Sequence, residues 1–155
     1  MPGRRGTETE SSAEWERRRE AGRGKADALG AAVGAVARGA TPAEIDTAAA
    51  EVLRQHGATP AFLGYPGPTP YPAVTTVSVN EELVHGIPGP RRLRAGDIVS
   101  IDCGSIVEGF VGDSAVTVAV GEVPEESWRL LQATLVGLWA GVAGMVAGRR
   151  TGDVS

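Results

Sequence analysis

The most constraining stretch of this sequence is a pair of alternating apolar runs on either side of one short turn. Ile98-Val99-Ser100-Ile101-Asp102 reads as a strand, and Val111 to Val120 reads as a second one after a turn near Val107-Glu108-Gly109. Such a hairpin commits the middle of the chain to antiparallel pairing. It also carries two carboxylates, Asp102 and Asp113. In a hairpin with an even-length loop, paired residue numbers sum to an odd value, so without a bulge both aspartates lie on the same face. With Val107-Glu108 as the turn they are directly opposite; with Glu108-Gly109 they are diagonal neighbours. A β-bulge would instead send one of them outward, and each could simply cap a turn.

Two carboxylates that close repel, and each resists ionisation. A bound cation reverses that penalty, and oxygen donors of this kind suit Mg, Mn, Fe(II) or Co(II) better than a metal that prefers thiolates.

Around the hairpin the sequence predicts helices. Ser11-x-x-Glu14 is a capping box for a charged helix running to about Arg38, with Trp15, Leu29, Val33 and Val36 on its apolar side. Glycines 22, 24, 30 and 34 weaken it and suit close packing. Thr41-Pro42-Ala43-Glu44 opens a better-marked helix whose Ile45, Ala48, Ala49, Val52 and Leu53 form one stripe, with Gly57 as its C′ residue. Five prolines between residues 58 and 73 exclude a long helix or an inner strand there, yet Phe62, Tyr65 and Tyr71 suggest that this loop lines something. Val74–Val79 reads as a strand. Pro124, Glu125 and Glu126 open a third helix with a wide apolar face, including Trp128, Leu135, Leu138 and Trp139, which Gly148 ends. The order predicts an α+β domain with an antiparallel sheet and flanking helices.

Composition excludes several classes. A formal net charge of -4 argues against a generic nucleic-acid binder, DNA included. One cysteine cannot form an internal disulfide, and no apolar run approaches the roughly 20 residues of a membrane helix. Residues 1–10 are polar, read as a disordered tail, and lack the apolar core of a signal peptide, which predicts a cytoplasmic chain. Cys103 alternates away from Asp102, as a buried core residue does; Asp97 suits a turn cap; His56 has no assigned role; Arg91, Arg92 and Arg94 read as a solvated loop, with ribosomal RNA contact as the weaker alternative.

Three ordered segments carry a family resemblance. Ser78-Val79-Asn80-Glu81-Glu82-Leu83-Val84-His85-Gly86-Ile87-Pro88, then Gly96-Asp97-Ile98-Val99-Ser100-Ile101-Asp102-Cys103-Gly104, then Gly109-Phe110-Val111-Gly112-Asp113-Ser114 resemble the substrate segment and the two metal-ligand strands of type I methionine aminopeptidases. The resemblance extends over roughly residues 13–155. It implies the first half of a pita-bread fold, with residues 11–155 as the amino-terminal half of the catalytic domain and the carboxy-terminal half absent. It implies Asp102 as a bidentate ligand to one metal and Asp113 as a bridge in a centre of two divalent ions (Co, Mn, Fe(II), Zn or Mg), with His85 contacting substrate near the scissile amide as a catalytic residue. Phe62, Tyr65 and Thr76 fall in the methionine pocket, whereas Tyr71, in a loop of different length, is left out. The implied activity is removal of initiator methionine from nascent chains, when the next residue is small, by a metal-bound hydroxide. A monomeric intact form is implied. The family's remaining ligands, one His and two Glu, have no counterpart after His85, so the fragment is expected to be inactive alone. A non-catalytic pita-bread-like binding module and a proline-specific peptidase of the same fold are the alternatives.

Overall fold

The computed structural model describes residues 10–155, so the reading of residues 1–9 as a tail lies outside the described residues; Glu10 pairs with Arg18. Helix α1 spans Ser12–Gly34 and α2 spans Pro42–Gln55. Both open on complete capping boxes: Ser11 and Thr41 accept from the backbone N–H of Glu14 and Glu44, whose carboxylates return to the cap residues. Ile45, Ala49 and Leu53 of α2 enter the core, and Gly57 leaves the helix with a positive φ of 61°.

Four strands follow: β1 (Thr59–Pro60), β2 (Thr75–Val79), β3 (Ile98–Val107) and β4 (Phe110–Ala119). β3 is the spine. Along one edge it pairs antiparallel with β2 over Val99–Cys103 and with β1 over Ser105–Ile106; along the other it pairs with β4 over its whole length. The two-residue β1 was not expected among the prolines. Pro60 sits there without cost because an edge position needs no second donor, and Ala61 N–H continues the contact to Gly104 O at 3.0 Å. β3 runs five residues beyond Asp102, since Cys103-Gly104-Ser105 continue the strand rather than turn it.

Helices α1 and α2 cover one face of the sheet. Val77, Val79, Val99, Ile101 and Cys103 pack there against Ala28, Ala32, Ile45, Ala49 and Leu53. The face that α1 buries differs from the expected one. Ala21, Gly24, Ala28 and Ala32 are its buried residues, Leu29, Val33 and Val36 only flank the core, and Trp15 is half exposed. The reason is backbone proximity: a Cβ on Gly112 of β4 would lie 2.9 Å from the backbone of Ala21 and Gly22, so α1 meets the sheet too closely for large side chains. The helix also stops at Gly34, short of Arg38.

Helix α3 spans Glu125–Gly144, ending before Gly148, and none of its residues is buried. Trp128 and Trp139, expected to serve helix packing, are exposed instead, along with Leu130, Leu135 and Leu138. No described helix or strand is packed over that face. A short 3₁₀ turn, Thr151–Asp153, closes the chain beside α3. Among the described residues no helix is long and apolar enough to cross a membrane.

Candidate metal centre

The hairpin turn decides how the two aspartates meet. Val107 pairs with Phe110, so the loop is Glu108-Gly109, with positive φ at both positions (46° and 86°), as a tight two-residue hairpin requires. Gly104 then pairs with Asp113 and Asp102 with Ala115: the carboxylates share a face as diagonal neighbours, the second of the two registers considered. There is no bulge between them.

This is the face opposite α1 and α2. Thr76 of β2 pairs with Asp102, and Ser78 pairs with Ser100, whose hydroxyl lies 2.8 Å from that of Thr117. Phe62 lies over Gly104, where a Cβ would approach its ring to 3.2 Å and the Ala61 methyl to 2.8 Å; glycine is required there because the loop rests on the strand. Tyr65 stays 66% exposed, tied to Phe62 and Tyr71 only through backbone. His85 is exposed, and its charge reaches Asp102 on this face.

Asp102 is the most unusual group. Its Oδ1 is buried and has no hydrogen-bond partner. Burial first, then the charge of Asp113 and a hydrogen bond shared with it, raise the Asp102 pKa; the backbone N–H of Cys103 and the charge of His85 oppose the rise. A buried acceptor left unpaired beside a second carboxylate is costly unless a cation fills the gap. The donor set is all oxygen, and the residues fit a divalent ion. Among the described residues, however, no three His, Cys, Asp or Glu side chains come together as a metal-holding group, so His85 does not complete a ligand set with the two aspartates.

The other titratable candidates take the roles expected of them. Cys103 is fully buried on the helix side, and burial, followed by the Asp102 charge, pushes its thiol to about 12. Asp97 caps the turn before β3 by accepting from Arg94 N–H and Asn80 Nδ2. Arg91 and Arg92 are exposed and partly paired, Arg92 donating to Gly39 O at 2.8 Å and Arg91 lying 3.7 Å from Glu82. His56 lies 3.1 Å from Asp27.

Asp46 was missed, and Tyr71, singled out with the loop aromatics, was left without a role. Asp46 of α2 accepts at Oδ1 from Val74 N–H, Thr75 N–H and the Thr75 hydroxyl, which fixes the entry to β2. Its place inside the α2 helical register gave no signal. Tyr71 places its hydroxyl 3.0 Å from Thr75 O and 2.9 Å from Gly86 O. Burial, then the charges of Asp46 and Asp102, push its phenol to about 12. The flanking Pro70 and Pro72 were the available cue, since they leave Tyr71 little freedom to turn away.

Residues 16–155 match the model of metallopeptidase family M24. The chain belongs to that family. It is 43% identical over 156 residues to methionine aminopeptidase 1 of Mycobacterium tuberculosis, an alignment covering all of this chain and 58% of the relative. It is 40% identical over 138 residues to a methionine aminopeptidase of Clostridium acetobutylicum, covering 88% of this chain and 54% of the relative. Among solved structures, methionine aminopeptidase from Thermotoga maritima superposes with a TM-score of 0.83 at 36% identity, covering 90% of this chain and 55% of that one. Prolidase from Pyrococcus furiosus shares the fold at a TM-score of 0.74 and 23% identity, covering 86% of this chain and 37% of that one. The M24 chain therefore has the α+β pita-bread architecture over the part described, and spans about half the length of the curated relatives it matches.

Proposed function

We propose that this M24 chain supplies the amino-terminal half, residues 11–155, of a methionine aminopeptidase that removes initiator methionine from nascent proteins when the second residue is small. The observation that carries this reading is the buried, unpartnered Asp102 Oδ1 beside Asp113, on the sheet face that Phe62 and His85 border. Asp102 and Asp113 would together hold a pair of divalent ions, drawn from Co, Mn, Fe(II), Zn or Mg. When bound, such ions supply Lewis acidity and activate water near neutral pH.

The chain's own residues supply orientation. Phe62 and Thr76 border the space for an apolar side chain, with Tyr65 at its outer rim. His85 donates to or accepts from the substrate near the scissile amide, the placement a positioned imidazole needs to stabilise developing charge. The β3–β4 pairing holds both carboxylates on a rigid ribbon rather than a loop, so their separation does not drift between turnovers. The natural setting is the cytoplasm, where nascent chains emerge, with a monomeric intact protein. A ribosome contact through Arg91, Arg92 and Arg94 is an accessory proposal, for which salt-dependent binding is the test.

The decisive experiment applies to the longer protein that a reading frame open beyond the Ser155 codon would encode. Asp102→Ala and Asp113→Ala should each abolish release of methionine from Met-Ala-Ser and remove about one metal equivalent. Full activity with unchanged metal content in either variant would sink the assignment. A second reading, a non-catalytic binding module, draws on the exposed apolar face of α3 and on the incomplete ligand set among the described residues. Reading the gene beyond the Ser155 codon separates them: one His and two Glu in frame favour the enzyme, and a stop favours binding. Comparing Met-Ala-Ser with Xaa-Pro substrates tests the proline-specific alternative, which the 36–44% identities to methionine aminopeptidases disfavour.

A further inference from the structure

His85 sits on a backbone that does not hold itself in place. Val84 and His85 have φ of 35° and 50°, in the left-handed region that a β-branched residue avoids. The next residue, Gly86, is pressed onto β2: a Cβ there would lie 2.4 Å from Val77 O. Gly86 N–H donates to Ser78 Oγ at 3.1 Å, and Val77 N–H donates to Gly86 O at 2.9 Å. The one proton of the Tyr71 hydroxyl is shared between that same Gly86 carbonyl, at 2.9 Å, and the Thr75 carbonyl of β2, at 3.0 Å. Meanwhile the main chain of Tyr71 closes the aromatic loop, with Gly64 N–H donating to Tyr71 O at 2.8 Å and Tyr71 N–H donating to Tyr65 O at 3.1 Å. One residue thus ties the loop that carries Phe62 and Tyr65 to the segment that carries His85.

We infer that Tyr71 is a positioning residue: its hydroxyl, by holding the Gly86 carbonyl against β2, sets where the His85 imidazole stands over the aspartate face and keeps it in register with the aromatic loop. The inference rests on the reading of His85 as a substrate-contacting group. In this role the Tyr71 hydroxyl acts through Gly86. The ring alone could fill space, but only the hydroxyl can make the link, so removing that one oxygen isolates the effect.

The test compares the wild-type chain with Tyr71→Phe. His56 and His85 are the two histidines of the sequence, so their imidazole resonances can be told apart by a His56→Gln control. Loss of the hydroxyl should accelerate amide exchange at Val77 by about tenfold and shift the His85 resonances, while β3 amides and the His56 resonances stay as they were. Unchanged exchange at Val77 with an unchanged His85 spectrum would overturn the proposal. Equal acceleration across β3 would also overturn it, because Tyr71 would then be a general stabiliser. In the longer gene product, Tyr71→Phe should lower kcat on Met-Ala-Ser about tenfold while KM stays within about twofold. Equal changes in both, or in neither, count against positioning. His85→Ala in the same assay separates the two layers: undiminished turnover removes the role given to His85, whereas the exchange and spectral result on Tyr71 judges the tether by itself.

Discussion

At the scale of single residues, the site depends on side chains that hold backbone in unusual places, and Asp97 shows the energetics most directly. Its carboxylate accepts from Arg94 N–H and Asn80 Nδ2, with Arg91 4.0 Å away, while Asn80, itself at φ 57°, accepts from Ile98 N–H. Burial pushes the Asp97 pKa up, but those hydrogen bonds and the charges of Arg91 and Arg94 outweigh it, and the group ends below its ordinary 3.8. A carboxylate with a lowered folded-state pKa stabilises above its unfolded value, and that contribution is lost as pH falls through the folded pKa. Asp97→Asn should therefore cost about 1–3 kcal/mol at pH 7, and the gap to wild type should begin to narrow below about pH 4 and vanish only once pH falls beneath the lowered folded-state pKa. Urea melts at the two pH values measure it; an equal gap at both would refute the charge argument. Much of this scale was legible in sequence. The parity of Asp102 and Asp113 put them on one face, and the alternation put Cys103 on the other. Asp46 was not legible, because its partners lie 28 and 29 residues away, and neither was the link from Tyr71 to Gly86, 15 residues on.

At the scale of elements, local chemistry and tertiary contact divide the work unevenly. Both helix starts follow from four-residue signatures, and both form as the signatures dictate. Thr41 illustrates the size of the effect. Its hydroxyl accepts from Glu44 N–H at 3.3 Å, and the Glu44 carboxylate returns to Thr41 N–H at 2.7 Å. Thr41→Ala should lower stability by about 0.5–2 kcal/mol without moving α2, whereas Thr41→Ser should be nearly neutral. Thermal melts of the two variants decide it, and an Ala variant as stable as wild type would mean that burial of Ile45, Ala49 and Leu53 alone sets the helix. Interior faces were harder to read. The small residues of α1 looked like weak helix formers, but they are what lets Gly112 of β4 come within backbone contact. Likewise Cys103-Gly104-Ser105 looked like the end of a strand. Gly104 is there to admit Phe62, and Ser105 donates to Ala21 O at 2.8 Å, so the strand continues under both covers.

At the scale of the whole molecule, one sheet face is covered and the other carries the candidate site, with α3 standing to the side. The covered face is closed by α1 and α2 around a continuous apolar core, which supports folding of this part. The site face offers two carboxylates, and an octahedral divalent ion asks for about six donors, so water must make up the larger share of its ligands in this chain. Metal retention should therefore be weak, and the penalty at Asp102 Oδ1 only partly relieved. The same incompleteness shows in α3, where Trp139, Leu135 and Leu138 stand exposed on a helix with no buried residue, more apolar surface than an isolated domain usually presents. Both features accompany a chain that spans about half the length of the curated relatives it matches. The 155-residue chain should accordingly show no measurable methionine release from Met-Ala-Ser with Co(II) or Mn(II), while binding a hydrophobic dye that a product extended beyond Ser155 would not bind. Turnover by the chain itself at a rate comparable with the longer product would mean that Asp102, Asp113 and His85 suffice, and the role given to the remaining ligands would have to be withdrawn.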